Sequence, residues 1–240
     1  MYQKGIHMKE NVDYEKRELL IQAAKEEFME KGYNKASLRN ICSKAGMTTG
    51  ALYFFFENKE DLYEEITGSA KNELKNLIIK HIAEDKEAME SITDINQMFE
   101  DHSSEADMFI ECIYRNYDSF MLILSGSKEG EYEALIDEFV KLTESSSTEL
   151  MKSSKLFNPD PFMSHWIAHT IVDSFVHVVT HEPDLEKAKV KMRFILNFIV
   201  QGWTSLVVTG ADAPAGASGK KASKTENAKT GKSNRKKTKD

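Results

Sequence analysis

The sequence predicts an all-α protein in which three short helices precede a long one and a helical body. Three observations predict it. Only four prolines occur in 240 residues, and runs of Leu, Ile, Phe, Glu and Lys favour helix over strand. Apolar residues recur at i, i+3 and i+4 from the first segment to the last. Between residues 32 and 58, glycines and Ser, Thr or Asn caps fall at short intervals, as they do where helices stop and restart. A hydrophobic fraction of 40%, a tenth of the chain being aromatic, supplies a packed core, and the length allows one or two domains.

In the first segment Leu20, Ala23, Ala24 and Phe28 share one helix face, and Gly32 is placed to end that helix in the left-handed conformation. Ser37 reads as an N-cap, followed by the stripe Leu38, Ile41, Cys42 and Ala45, which Gly46 stops. Thr48 caps a third short helix through Phe55, and Asn58 caps a fourth carrying Leu62, Ile66, Leu74, Leu77, Ile78 and Ile82. Helices in quick succession with a glycine turn between the second and third have a helix-turn-helix layout. Helical patterns continue at 92–99, 108–124 and 132–151, with loops at 125–130 and 158–161. The last two helices, 162–181 and 184–208, part at Glu182-Pro183, where proline ends one and starts the other.

In the final helix Ala188, Met192, Ile195, Ile199, Gly202 and Leu206 are spaced 4, 3, 4, 3, 4, a heptad seam that Phe194, Phe198 and Trp203 widen. Such a seam closes on its own chain or on a second copy, and a dimer interface is expected along it. From Gly210 the composition shifts to Ala, Gly, Ser, Lys and Thr, too poor in apolar side chains to offset chain entropy. The division expected is a flexible N-terminus at 1–12, a first domain at 13–60, a second at 61–209 and a disordered basic tail at 210–240.

The net charge is −7, unevenly spread. Residues 211–240 carry +6 and residues 1–210 carry −13, yet within that acidic body Lys31, Lys35, Arg39, Lys44 and Lys59 face Glu57 alone between residues 31 and 59. Local sign governs attraction to nucleic acid more than the global sum. The basic tail is either a solubilising segment or a mobile cationic arm that raises local concentration on DNA. No apolar run reaches membrane-spanning length and the N-terminus has no apolar signal core, so a cytoplasmic protein is expected. Two cysteines, Cys42 and Cys112, form neither a disulfide framework nor a zinc set.

The stretch SLRNICSKAGMTTGALYFFFENKEDLYEEI, residues 37–66, resembles the N-terminal DNA-binding signature of the TetR family of bacterial transcriptional regulators. The matching positions are Ser37, Ile41-Cys42, Ala45-Gly46-Met47, Thr48, Gly50, Leu52-Tyr53, Phe56 and Lys59. The resemblance implies an N-terminal three-helix helix-turn-helix DNA-binding domain joined by a long helix to a C-terminal helical ligand-binding and dimerisation domain. It implies phosphate contacts by Ser37, Tyr53 and Lys59, which set register rather than sequence choice. The residues themselves point the same way. Thr48 caps a helix whose N-terminal N–H groups suit a phosphate, and Gly50 removes bulk where that helix approaches the groove. Thr49 and Ala51 face base edges, and Arg39 is a backbone or base contact. Leu52 and Phe56 point into the three-helix core. Phe54 packs on sugar or a thymine methyl, while Phe55, where the family often has His or Tyr, cannot bond a phosphate.

By that resemblance the chain is a dimeric repressor of double-stranded, palindromic operator DNA, released when a small molecule in the middle domain changes the spacing of the heads. Candidate walls for the effector are Phe109, Tyr114, Tyr117, Phe120, Trp166, His169 and Phe175, all equally good core residues. The alternative is a helix-turn-helix regulator that activates, or that a protein partner or metal controls. His165, His169, Asp173, His177 and His181 recur every four residues. Each step drifts about 40° around the helix, so all five cannot meet one ion. The row reads as a polar seam, a metal or haem ligand pair, or a pH sensor. No cofactor or metal is assigned, and no Gly-rich phosphate loop, G-x-S-x-G elbow or H-E-x-x-H motif supports an enzyme.

Overall fold

The computed structural model describes residues 2–90, 102–154 and 161–209, with side-chain surroundings described at 12–87, 102–145 and 161–203. These residues form α1 (Tyr2–Lys35), α2 (Leu38–Lys44), α3 (Thr49–Phe55), α4 (Lys59–Glu90), α5 (Ser103–Arg115), α6 (Tyr117–Gly126), α7 (Glu131–Ser154), α8 (Pro161–His181) and α9 (Leu185–Thr209), and no strand is present among them. The helix expected at 92–99 and the tail at 210–240 lie outside the described residues.

One expectation is corrected, at 108–124. The residues expected as a flexible N-terminus at 1–12 are, from Tyr2, part of α1. Helix propagates cheaply from a nucleus, and the packed turns around Leu20 supply one. The single helix expected at 108–124 breaks at Asn116, whose Nδ2 reaches Glu73 Oε2 at 2.7 Å and the Cys112 carbonyl at 3.3 Å. A side chain that bonds its own backbone in this way competes with helix continuation. Gly32 does interrupt α1 with a positive φ of 72°, but its ψ of 162° is extended rather than left-handed helical.

Two apolar clusters organise the packing. Leu20, Ala24 and Phe28 of α1, Ile41 and Cys42 of α2, Leu52 of α3 with Phe56 just after it, and Leu62, Tyr63 and Ile66 of α4 close the first around the N-terminal helices. Ile110 and Ile113, Phe139 and Val140, Val172 and Val179, and Ala188 and Met192 build the second, in the body. The two clusters are tied by α4, which contributes to both, and by α6. Leu122 of α6 enters the first cluster while Phe120 and Ile123 enter the second. Ser119 Oγ donates to the Ile66 carbonyl at 2.9 Å, Lys25 pairs with Asp118 at 2.9 Å, and a Cβ on Gly126 would lie 3.4 Å from the Gly32 Cα. The N-terminal head is therefore held against the body by several independent contacts along one short helix.

Candidate nucleic-acid interface

The turn between α2 and α3 follows from its residues. Gly46 has φ 67°, the Met47 N–H donates to the Cys42 carbonyl at 2.8 Å, and the Gly46 N–H donates to that of Ser43 at 3.2 Å. This is a Schellman ending, which needs a positive φ and so favours glycine. Thr48 then caps α3, its Oγ1 accepting the Ala51 N–H at 3.2 Å. Asn58 caps α4 in the same way, its Oδ1 accepting the Asp61 N–H at 2.9 Å.

The aromatic run on α3 divides by face. Leu52 and Phe56 are buried, whereas Tyr53 is 56% and Phe54 73% exposed. Phe55 is half-buried against the head cluster and meets the Phe54 ring edge-on at 4.9 Å. Thr49 and Gly50 are exposed and Ala51 half-buried. The Thr49 hydroxyl also bonds the Cys42 thiol, a lowering effect smaller than the burial that pushes this thiol up. A Cβ on Gly50 would meet only Thr48 Oγ1, at 3.9 Å. Glycine in a helix costs about 0.5–1 kcal/mol relative to alanine, and nothing inside the chain repays that cost here.

Three of the five cations expected to make this region basic are engaged within the chain. Lys31 pairs with Glu30 at 2.5 Å, and Lys44 with Glu27 at 3.0 Å and Glu30 at 3.2 Å. Lys59 Nζ donates to the carbonyls of Tyr33 and Ala36. Lys35 and Arg39 are exposed and have no ion pair among the described residues.

Ser37 occupies the N-cap position of α2, but its side chain makes no capping bond. Glu27, buried on α1, instead fixes the start of α2 by accepting the N–H of the N-cap residue itself. Its Oε1 takes the Ser37 N–H at 3.4 Å and Asn40 Nδ2 at 3.1 Å, while Oε2 pairs with Lys44. Burial alone would push this carboxyl up. The bonds from Lys44, Asn40 and Ser37, with the Lys44 charge, outweigh burial and hold it below the usual range. Sequence reasoning passed over Glu27, although a carboxylate three residues after Ala24, on an otherwise apolar face, was the signal.

In the body, the seven residues expected to wall an effector site are placed as follows. Phe120 is core, Tyr114 donates its hydroxyl to the Glu182 carbonyl, and Tyr117 donates to that of Val179 at 3.4 Å. Phe109 lies between the rings of His81 and Phe175, at 5.4 and 6.0 Å, and His169 lies against His165 at 4.7 Å. Trp166 is exposed on α8. An open groove of about 570 Å³ lies between α4 and α5, lined by Leu77, Met108 and Cys112 with Glu73, Lys80, Asp107, Glu111 and Arg115 as its charged residues. Its carboxylates are paired: Glu73 with Arg115, Glu111 with Lys189, and Asp107 with Arg193 at 2.6 Å. The Arg193 hydrogen bond holds Asp107 below its usual range, and burial pushes the Cys112 thiol up to about 11.

The heptad seam of α9 faces mostly inward. Ala188 and Met192 are buried in the body core, Ile195 and Ile199 are half-buried, and Gly202 is exposed; the side chain of Leu206 lies outside the described region. The exposed face of α9 carries Val190, Phe194 (75%) and Phe198 (71%), and α8, which packs on α9, exposes Phe162 and Trp166. In the histidine row, His165 Nδ1 lies 2.9 Å from Glu144, while His177 and His181 stack at 4.2 Å. Among the described residues no group of three or more His, Cys, Asp or Glu is placed to hold a metal ion. No helix of the described residues is long and apolar enough to cross a membrane.

Residues 20–66 match the family described as "Bacterial regulatory proteins, tetR family". The chain is similar to the HTH-type transcriptional repressor BepR of Brucella suis, 44% identical over 57 residues, which are 24% of this chain and 27% of that protein. The match therefore spans little more than a quarter of that relative. The fold as a whole is similar to a transcriptional regulator from Aquifex aeolicus VF5, with TM-score 0.53 and 24% identity over 77% of this chain and 99% of that one. It is similar too to NalD of Pseudomonas aeruginosa, the secondary repressor of the MexAB-OprM multidrug efflux pump, with TM-score 0.53 and 18% identity over 80% and 97%. The head's turn geometry, its caps and the family match agree in register, and residues 20–66 are a match to the family of bacterial regulatory proteins named for tetR.

Proposed function

We propose that the chain is a DNA-binding transcriptional regulator acting as a homodimeric repressor, with α3 in the major groove of a palindromic operator. The observation that carries this reading is Gly50, a helical glycine with open space around its missing side chain. It is explained by the close approach of something outside the chain. Outward-facing Tyr53 and Phe54 and the unpaired Lys35 and Arg39 surround it in the same head and supply a contact surface with positive charge. Ser37 and Thr48 are backbone-facing partners in this reading, and Thr49 and Ala51 meet base edges. Lys59 orders the head from within, with at most one remaining donor for a phosphate.

Two heads require a dimer, and the apolar face of α8 and α9 is the surface for it. Exposed phenylalanines such as Phe194 and Phe198 are costly in water and are relieved by a second copy. The domain division proposed is a head at 13–60 and a ligand-binding and dimerisation body at 61–209, with release by a small molecule bound in the body. The groove between α4 and α5 is the candidate entry, since α4 runs from it directly into the head cluster. A ligand acts only by favouring one head spacing over another. The close packing of Phe109, Tyr114, Tyr117 and Phe120 favours one alternative, control by a protein partner rather than an organic effector.

Fluorescence anisotropy tests the reading. The full chain should bind the duplex upstream of its own gene and prefer it to a scrambled duplex at every salt concentration. Equal, steeply salt-dependent binding to both would show charge attraction without recognition and would overturn it.

A further inference from the structure

Phe54 is the most exposed of the large apolar side chains in the head, at 73%. Its one ring neighbour is Phe55, which is anchored in the head cluster and meets it edge-on at 4.9 Å, an arrangement that aromatic rings favour. The ring is thus held in place while its outer surface is left bare. A phenyl group has no polar atom and cannot bond a phosphate oxygen. The apolar feature that a major groove offers is the 5-methyl group of thymine. The deoxyribose faces are the other apolar surface, at the groove's edge.

Gly50 decides between them. Residues 50 and 54 are one turn apart and share a helix face, about 6 Å along the axis. Where Gly50 lets the backbone come closest to the groove floor, a ring one turn onward on that same face meets neighbouring base edges, not the rim. Tyr53, rotated about 100° from Phe54, is the residue directed aside. Resting on the reading of α3 as the groove-binding helix, we propose that Phe54 is a specificity residue that reads a thymine in each half-site by packing on its 5-methyl group.

The test is a cycle between ring and methyl. Duplexes are recovered from a random library with the full wild-type chain, and each thymine, in symmetric pairs, is replaced by deoxyuridine. Affinities are measured for the wild type and for Phe54→Ala, with Phe54→Leu as a second variant that retains apolar surface. Burying one methyl is a factor of about four, so losing two weakens wild-type binding roughly fifteen-fold at one symmetric pair. Phe54→Ala should bind the thymine and deoxyuridine duplexes within about two-fold of each other, and Phe54→Leu should fall between. The inference is overturned if no thymine pair is methyl-sensitive in the wild type, or if the same pair stays fully sensitive in Phe54→Ala, which would assign the methyl contact to another residue such as Ala51. Recovery of no preferred duplex by the wild type would instead remove the DNA-binding reading itself, and this inference with it.

Discussion

Lys59 Nζ donates a 2.8 Å hydrogen bond to the Tyr33 carbonyl and lies 4.4 Å from the centroid of the Tyr33 ring. The first residue of α4 thereby ties itself to the last turn of α1, where helix carbonyls otherwise lack partners. Lys59→Met should lower stability by about 1–3 kcal/mol, the loss of a charge-assisted hydrogen bond and its cation–π contact. Urea unfolding without DNA reads this directly. An unchanged midpoint would make Lys59 a DNA ligand only.

Glu27 makes the head acid-sensitive. Its carboxyl is held below the usual range by Lys44, Asn40 and Ser37 despite burial. The folded state therefore binds fewer protons than the unfolded one just below pH 4.5, and the stabilisation is present above that pH and lost as pH falls through the folded value. Glu27→Gln should melt below the wild type at pH 7, and the gap should narrow as pH falls towards 3. A gap constant with pH would contradict the charged role of Glu27.

Between residues 31 and 59, Arg39 and Lys35 are the cations with neither an ion pair nor a carbonyl partner, whereas Lys31 is already paired with Glu30. Arg39→Ala should weaken binding to specific and scrambled duplexes and reduce the slope of log affinity against log salt by about 2 per dimer. Lys31→Ala should change that slope by less than half as much. Equal effects would show that the Glu30 pair opens on DNA.

Phe194 and Met192 sit two residues apart on α9 yet face opposite surroundings, water and core. Phe194→Asp combined with Phe198→Asp should give a monomer in sedimentation while keeping the helical melt cooperative. Met192→Ala should instead cost roughly 2–5 kcal/mol of stability by opening a cavity. A dimer that persists in the double variant would place the interface elsewhere.

The head was legible because its signals are local. Gly46, Thr48 and Asn58 each act within five residues, so the turn, both caps and the inward Leu52 and Phe56 follow from sequence alone. What the sequence leaves illegible depends on distant partners. Ser37 holds the N-cap position without a side-chain capping bond, and its own N–H is taken by a carboxylate ten positions earlier. The spacing of Ala188 and Met192 marks a buried seam without saying whose helix buries it, and here α5 and α8 of the same chain do. Asn116 breaks a periodic apolar run by bonding Glu73, 43 residues away in the chain. For the effector residues, aromatic character on a helix gave no means of separating core from cavity.

Hydroxyl-radical footprinting of the full chain on a preferred duplex tests the central claim most directly. A dimer that places two α3 helices in successive major grooves should protect two windows on one DNA face, with centres about 10–10.5 base pairs or a whole multiple of that apart. A single window, or protection without a fixed position, would contradict the account.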